Sequence, residues 1–234
     1  MIRLYLIVEG RGTEPKLYRA WLPLLLPGMQ RVQRLEDLGS ADRTFLIVAG
    51  CGFPSYLDRI RNAVTDIRQN SGMVTHLLVA VDAEEIGFDE RRRALVNLIN
   101  ELKCPVSSQV IVADCCVETW LLGHRRLVCR QPQSRELAEM LRFYNVVAQD
   151  PELMPKHSSF STRAQFHFEY LRYVFRERQL NYAKNNPGEA CRSDYFEQLR
   201  ARALDNRDDP RHLKSFADLL AIGGWLQASE GGTE

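Results

Sequence analysis

Acidic residues stand where several strand-like runs of this chain stop. Glu9 follows the apolar run "LYLIV" and precedes Gly10. Asp82 and Glu84 follow "THLLVAV", and Asp114, with Glu118 just after, follows "SQVIVA". In open parallel α/β sheets, ligands bind beyond the carboxyl ends of the strands, and a buried carboxylate there is costly unless something pairs with it. Asp82 and Glu84 stand two apart, so extended backbone points both side chains the same way. Oxygen-only ligands with open positions suit Mg2+ or Mn2+, which keep waters and take phosphate oxygens from a substrate. One such ion generates an attacking hydroxide, and two also clamp the leaving oxygen, so the chemistry suggested is on a phosphodiester. A plainer reading stays open for each acid alone, as a solvated loop residue or a partner for the positive end of the next helix. Glu85, Asp89 and Glu90 read that way.

The elements that must position these acids alternate. "RLYLIV", "RTFLIVAGCG", "VTHLLVAVDAEE" and "SSQVIVAD" are compact apolar strands. Between them "EPKLYRAWLPLLL", "FPSYLDRIRNAVTDIRQN" and "DERRRALVNLINELK" have helical spacing. Leu17, Trp21 and Leu24 share one face of the first, and Tyr56, Leu57, Ile60, Val64 and Ile67 one face of the second. "CCVETWLLGH" begins a further helix. Near-continuous apolar strands separated by helices predict an α/β fold with a mainly parallel central sheet covered on both faces. From about Gln131 only helical patterns follow: "SRELAEMLRFYNVV", "TRAQFHFEYLRYVFRERQL", "DYFEQLRARALD" and "LKSFADLLAIGGWL". The expected organisation is an α/β domain over 1–130 and a helical extension over 131–234, ending in a frayed tail, "ASEGGTE".

The bulk properties exclude little. The 234 residues carry 31 basic and 30 acidic side chains, a formal net charge of +1, so bulk charge does not argue for nucleic acid or membrane as partner. No apolar run reaches the ~18 residues of a membrane span, and no cleavable signal pattern opens the chain. Six cysteines, Cys51, Cys104, Cys115, Cys116, Cys129 and Cys191, include no CxxC pair, and adjacent Cys115 and Cys116 make a poor zinc arrangement. They read as reduced, mostly core thiols of a cytoplasmic protein.

Other residues offer weaker signals. Gly50 and Gly52 fit a tight turn beside the site, with a phosphate contact as the second option. The five histidines show no zinc spacing. His124 lines the cleft in one reading and is packed or solvated in the other. In "HFEYLRYVFRERQLNYAK" the cations Arg172, Arg176 and Arg178 could form a backbone-binding surface with Tyr182 stacking on a base. The other reading is a helix whose Phe168, Leu171 and Phe175 face the core while the arginines are solvated.

Three segments resemble a known family. "LIVEGRGTE" resembles the opening of Toprim domains, with a glutamate-glycine after the first strand. "VAVDAEE" looks like their DxD motif, with Glu84 in place of the second aspartate. "ADCCVETWLLGH" resembles the OLD-type and RloB-like branches, where a glutamate precedes a Trp-Leu-Leu run. The resemblance covers roughly residues 1 to 125 and extends to "NYAKNNP" and "LKSF". It implies Mg2+ or Mn2+ held by Glu9, Glu14, Asp82, Glu84 and Glu118, with Glu9 also a general acid-base residue. Lys184 would offset transition-state charge. Cys116 stands where the OLD branch often has serine. The implied activity is a stand-alone nuclease acting on DNA or RNA in anti-phage defence. A separate ATPase partner is implied too, since this chain has no Walker motif. Two other classes stay open: a non-catalytic Toprim-like module that binds a partner or nucleic acid, and a nucleotidyl-transfer or small phosphoester hydrolase enzyme.

Overall fold

The structure, a computed structural model, describes residues 1–207 and 211–228; the tail expected to fray lies outside them beyond Ala228. In chain order the elements are β1 (Ile2–Val8), α1 (Thr13–Leu25), β2 (Gln30–Val32), β3 (Arg43–Ala49), α2 (Ser55–Gln69), β4 (His76–Asp82), α3 (Phe88–Glu101) and β5 (Ser107–Ala113). Then come α4 (Val117–Leu121), α5 (Arg135–Phe143), α6 (Arg163–Glu177), α7 (Ser193–Ala203) and α8 (Lys214–Ala228), with short 3-10 turns among them. The strands form one five-stranded sheet in the order β2-β3-β1-β4-β5. β1 runs parallel to both β3 and β4, and β2 runs parallel to β3. The α/β reading with a mainly parallel sheet holds. β2 is an addition: a three-residue, largely exposed strand is too short and too polar to announce itself.

The chain divides into two compact units, and not at residue 130. Among the described residues the first comprises Met1–Val81, Asp89–Val112 and the chain from Leu219 to Ala228; the second comprises Asp82–Phe88 and those between Ala113 and Asp218. The last helix thus contributes its second half to the sheet-bearing unit, and the segment after β5 belongs with the helices.

In the first unit β1 is central, and every residue of it except Arg3 is buried. Val8 faces Ala49 on one side and Ala80 on the other, so both neighbouring strands run level with it at its carboxyl end. α1 buries Leu17, Tyr18, Trp21 and Leu22, and α2 buries Tyr56, Ile60, Ala63, Val64 and Ile67, the 3.6-residue stripe expected of helices on a sheet. Burying such large apolar side chains contributes about 1.5–3 kcal/mol each. In α3 the inward stripe begins with a cation: Arg91 is 4% exposed, lies over the Phe53 and Tyr56 rings, and donates to the Tyr56 hydroxyl at 2.6 Å. The last helix closes this unit at close range. A Cβ on Gly223 would stand 2.7 Å from the Leu25 carbonyl oxygen, so only glycine fits there. Trp225 packs edge-on against His76 and donates to Ser107.

In the second unit α6 is the core helix. Phe166, His167, Tyr170, Leu171, Val174 and Phe175 are buried, and Thr162 caps its start by accepting from the Gln165 amide at 3.0 Å. Arg202 of α7 is 3% exposed. Its guanidinium donates to the carbonyls of Gly123 (3.1 Å), Val146 (2.8 Å) and Gln149 (2.7 Å), tying two loops to one side chain. The expected helix at "CCVETWLLGH" is only the five residues of α4. The turn after it passes through Gly123, where a Cβ would meet Leu213 at 2.5 Å and the Trp120 carbonyl at 2.7 Å.

Candidate functional site

At the end of β1 the backbone of Glu9 is held from both sides. Its amide donates to Ala80 at 3.1 Å and its carbonyl accepts from Gly52 at 2.9 Å. The residue is 7% exposed, so its carboxylate stands in a place of restricted solvation directly after the central strand. Gly10 follows because Glu14, in the first turn of α1, folds back over it. Glu14 Oε1 accepts from the Gly10 amide at 3.1 Å, and a Cβ on Gly10 would collide with that carboxylate at 2.5 Å. Glu14 therefore braces the turn. The glycine pair Gly50 and Gly52 forms the tight turn expected. The Gly50 amide donates to Val8 and the Gly52 amide to Glu9, so neither amide is offered to a phosphate.

The second unit holds the other acids. Asp82 closes β4 and is half-buried, and its Oδ1 accepts from the amide of Val117 at 3.1 Å. Val117 immediately precedes Glu118, so Asp82 is pinned to the start of the helix that carries Glu118. Glu118 is 6% exposed, and the buried Tyr182 donates to its Oε1 at 2.9 Å. Cys116 lies within electrostatic reach of both acids. Burial pushes its thiol well above the ordinary range, and a hydrogen bond donated to Cys115 and the charges of Glu118 and Asp82 add to the shift. Both carboxylates are thus felt at one sulfur. Among the described residues no cation pairs with Glu118.

Several sequence expectations need correction here. Glu84 does not face the same way as Asp82 by strand alternation, because β4 ends at Asp82 and Glu84 has left-handed backbone, φ 48°, with an exposed side chain. Its amide instead donates to the Cys115 carbonyl at 2.7 Å. Tyr182 is no stacking platform: it is 2% exposed, its ring lies against Phe168 and Phe175, and its hydroxyl holds Glu118. Arg178 donates to the carbonyls of Leu127 and Arg126, which makes it a loop brace. Arg172 is paired with Glu169 at 2.8 Å. Arg176 is exposed over the Tyr173 ring, and Lys184 is exposed with its Nζ 5.4 Å from the Phe168 ring centre. Of the three residues expected on the core face of α6, Leu171 and Phe175 are buried and Phe168 is only half-buried; Phe166, Tyr170 and Val174 complete that face. His124 is packed, its ring against Tyr195 and its Nδ1 accepting from the Leu127 amide. All six cysteines are free thiols, but only Cys115 and Cys116 are buried.

Sequence reading also missed a set of buried acids. In the loop "QDPELMPKHSS", Asp150 and Glu152 are 6% and 5% exposed. They receive the start of α8: Asp150 Oδ1 accepts from the Leu213 amide at 3.1 Å, and Glu152 Oε1 from the Ser215 amide at 3.0 Å. Ser215 Oγ also donates to Glu152 and accepts from Trp120 Nε1 and the Asp114 amide. Arg163 pairs with Asp114 and donates to the Met154 and Glu152 carbonyls, closing the network. A cavity of about 210 Å³ adjoins it, lined by Asp114, Glu152, Arg211 and Lys214 among others. Asp-Pro-Glu reads as a local turn signal, and nothing local indicates that its carboxylates cap a helix far along the chain.

Burial raises the Glu152 carboxyl from 4.5 to about 7, with the Ser215 hydroxyl opposing and Asp150 and Asp114 adding. The folded state therefore keeps a proton that the unfolded chain releases at lower pH. The stability tied to that proton is fully present below pH 4.5 and is lost as pH rises to about 7. The full swing is on the order of 3 kcal/mol. Glu152→Gln should remove this slope, so urea midpoints of wild type and variant, compared at acid and neutral pH, should diverge in pH dependence. Parallel pH profiles would show that Glu152 titrates alike in both states.

The chain matches no family model, no curated protein and no solved structure.

Proposed function

We propose that this chain is a metal-dependent nuclease of the Toprim type, hydrolysing phosphodiester bonds in DNA or RNA. The observation that carries the reading is Glu118. It is a carboxylate 6% exposed, held at one oxygen by the neutral Tyr182 hydroxyl and paired with no cation among the described residues, so it has donor capacity to offer an ion. Asp82, tied to the adjacent amide, brings a second carboxylate to the same short segment. Oxygen donors of this kind fit Mg2+ or Mn2+. When bound, such an ion supplies an activated water and neutralises charge on phosphoryl oxygens.

The chain's own residues do the rest. Tyr182 fixes the Glu118 carboxylate in one orientation, and the Val117 amide fixes Asp82, so two ligands are preorganised before any ion arrives. Through the resemblance alone, Glu9 belongs to the same proposal as a ligand and proton acceptor. Glu14 acts through the Gly10 turn that positions Glu9, and Glu84 lies at the solvent edge. Lys184 and Arg176 are exposed cations that this reading sets toward a polyanion. An anti-phage role, a separate ATPase partner and a cytoplasmic setting belong to the same proposal through the resemblance. No helix among the described residues is long and apolar enough to cross a membrane.

The test is cleavage of labelled DNA and RNA by the purified chain, alone and with an ATPase encoded beside it, in Mg2+ or Mn2+. Cutting that stops on chelation is the expected result. No cutting of either nucleic acid under any of these conditions would favour the non-catalytic binding module.

A further inference from the structure

A different set of ligand-type atoms gathers in the second unit. Cys115 Sγ, Cys116 Sγ and a ring nitrogen of His167 lie within 4.8 Å of one another. All three residues are buried, at 0%, 2% and 0% exposure. Adjacent side chains in an extended strand point to opposite faces, which is why a Cys-Cys pair makes an unpromising zinc motif in sequence. Here the pair lies outside the strand: β5 ends at Ala113, and Cys116 is the residue from which α4 starts. The two thiols are brought together, and α6 supplies the imidazole.

The histidine is oriented as a ligand would be. His167 Nε2 faces the Met154 carbonyl at 3.3 Å. With the proton on Nε2 donated to that carbonyl, Nδ1 carries the lone pair, the arrangement by which outer hydrogen bonds set up metal-binding imidazoles. Thr119 Oγ1 lies 2.7 Å from that Nδ1 and 3.6 Å from Cys116 Sγ. A turn of the Thr119 side chain about Cα–Cβ, which carries Oγ1 away, frees the nitrogen for an ion.

We propose that Cys115, Cys116 and His167 form a binding site for a thiophilic divalent ion, Zn2+ by donor type. Two sulfurs and one imidazole nitrogen select zinc over magnesium or manganese, which prefer oxygen. Binding releases the two thiol protons to solvent, and the two thiolates balance the ion's charge in the buried site. The site is separate in ligand chemistry from Asp82 and Glu118, and it stands whether or not the chain cuts nucleic acid.

The experiment uses the reduced full chain and Co2+ as a spectroscopic stand-in. Wild type should develop an intense near-ultraviolet thiolate-to-cobalt band, displaced by Zn2+ and not by Mg2+ or Mn2+. Cys115→Ser and Cys116→Ser should each weaken cobalt binding about tenfold or more. A zinc-loaded wild-type sample gives a readout free of variants: its X-ray absorption fine structure should show two sulfurs at about 2.3 Å with nitrogen beside them. No cobalt band in wild type, a band surviving the double cysteine substitution, or an all-oxygen zinc shell would each overturn the site.

Discussion

Glu118→Gln is expected to cut nucleic-acid cleavage by about a thousandfold, some 4 kcal/mol of transition-state stabilisation, in a protein that remains folded. The amide has the volume of the acid, and its oxygen can still accept from Tyr182, so the packing around α4 is kept. What it loses is the charge that holds the ion. Asp82→Asn and Glu9→Gln should fall in the same range, since each removes one anionic ligand. A binding measurement separates loss of metal from loss of fold: Mg2+ or Mn2+ should raise the wild-type melting temperature, and the three variants should show a smaller rise. Tyr182→Phe should keep the charge but lose the orientation, reducing rate less than Glu118→Gln. Full activity in Glu118→Gln or Glu9→Gln would remove this site from the chemistry.

Replacement of Arg202 by methionine should be the most damaging stability change in the second unit, about 3–5 kcal/mol. The guanidinium is buried and serves the carbonyls of Gly123, Val146 and Gln149 together with His212 Nδ1. Removing it strands several buried acceptors at once, and each unsatisfied group costs about 1–3 kcal/mol. Methionine fills much of the space, so the loss reads on hydrogen bonding rather than on a cavity. Arg202→Lys should recover only a minor part, because one ammonium lacks the planar fork that reaches three carbonyls. A fall of more than about 3 kcal/mol in urea unfolding is the expected result; a fall under 1 kcal/mol would mean that water replaces those bonds.

Much of the sheet was legible because its strands are apolar over their whole length. "RLYLIV" reads as a strand buried on both faces, and β1 is that strand. The helices on the sheet were legible from spacing, as with Tyr56, Ile60, Val64 and Ile67. The strand-end acids Glu9 and Asp82 were found by the same route, since a charge where an apolar run stops is a local signal. Glu84 was misread because alternation holds only while the backbone stays extended, and the chain leaves the strand at Asp82. Tyr182 was misread because an aromatic among arginines looks the same whether its ring meets a base or its hydroxyl meets a buried acid. The roles of Arg202, Glu152 and His167 depend on partners far along the chain, and no periodicity reports those.

The last helix carries a consequence for how the protein comes into being. Gly223 against Leu25 and Trp225 against His76 and Ser107 join the end of the described chain to its first half. On the ribosome, the strands around β1 are synthesised long before the residues that cover them. Until the segment around Trp225 leaves the exit tunnel, the nascent sheet has apolar surface open to chaperones and to other nascent chains. Contacts this distant in sequence also make for slow folding. A ribosome that stops within α7 would therefore release a chain whose amino-terminal half is fully made and still unable to close.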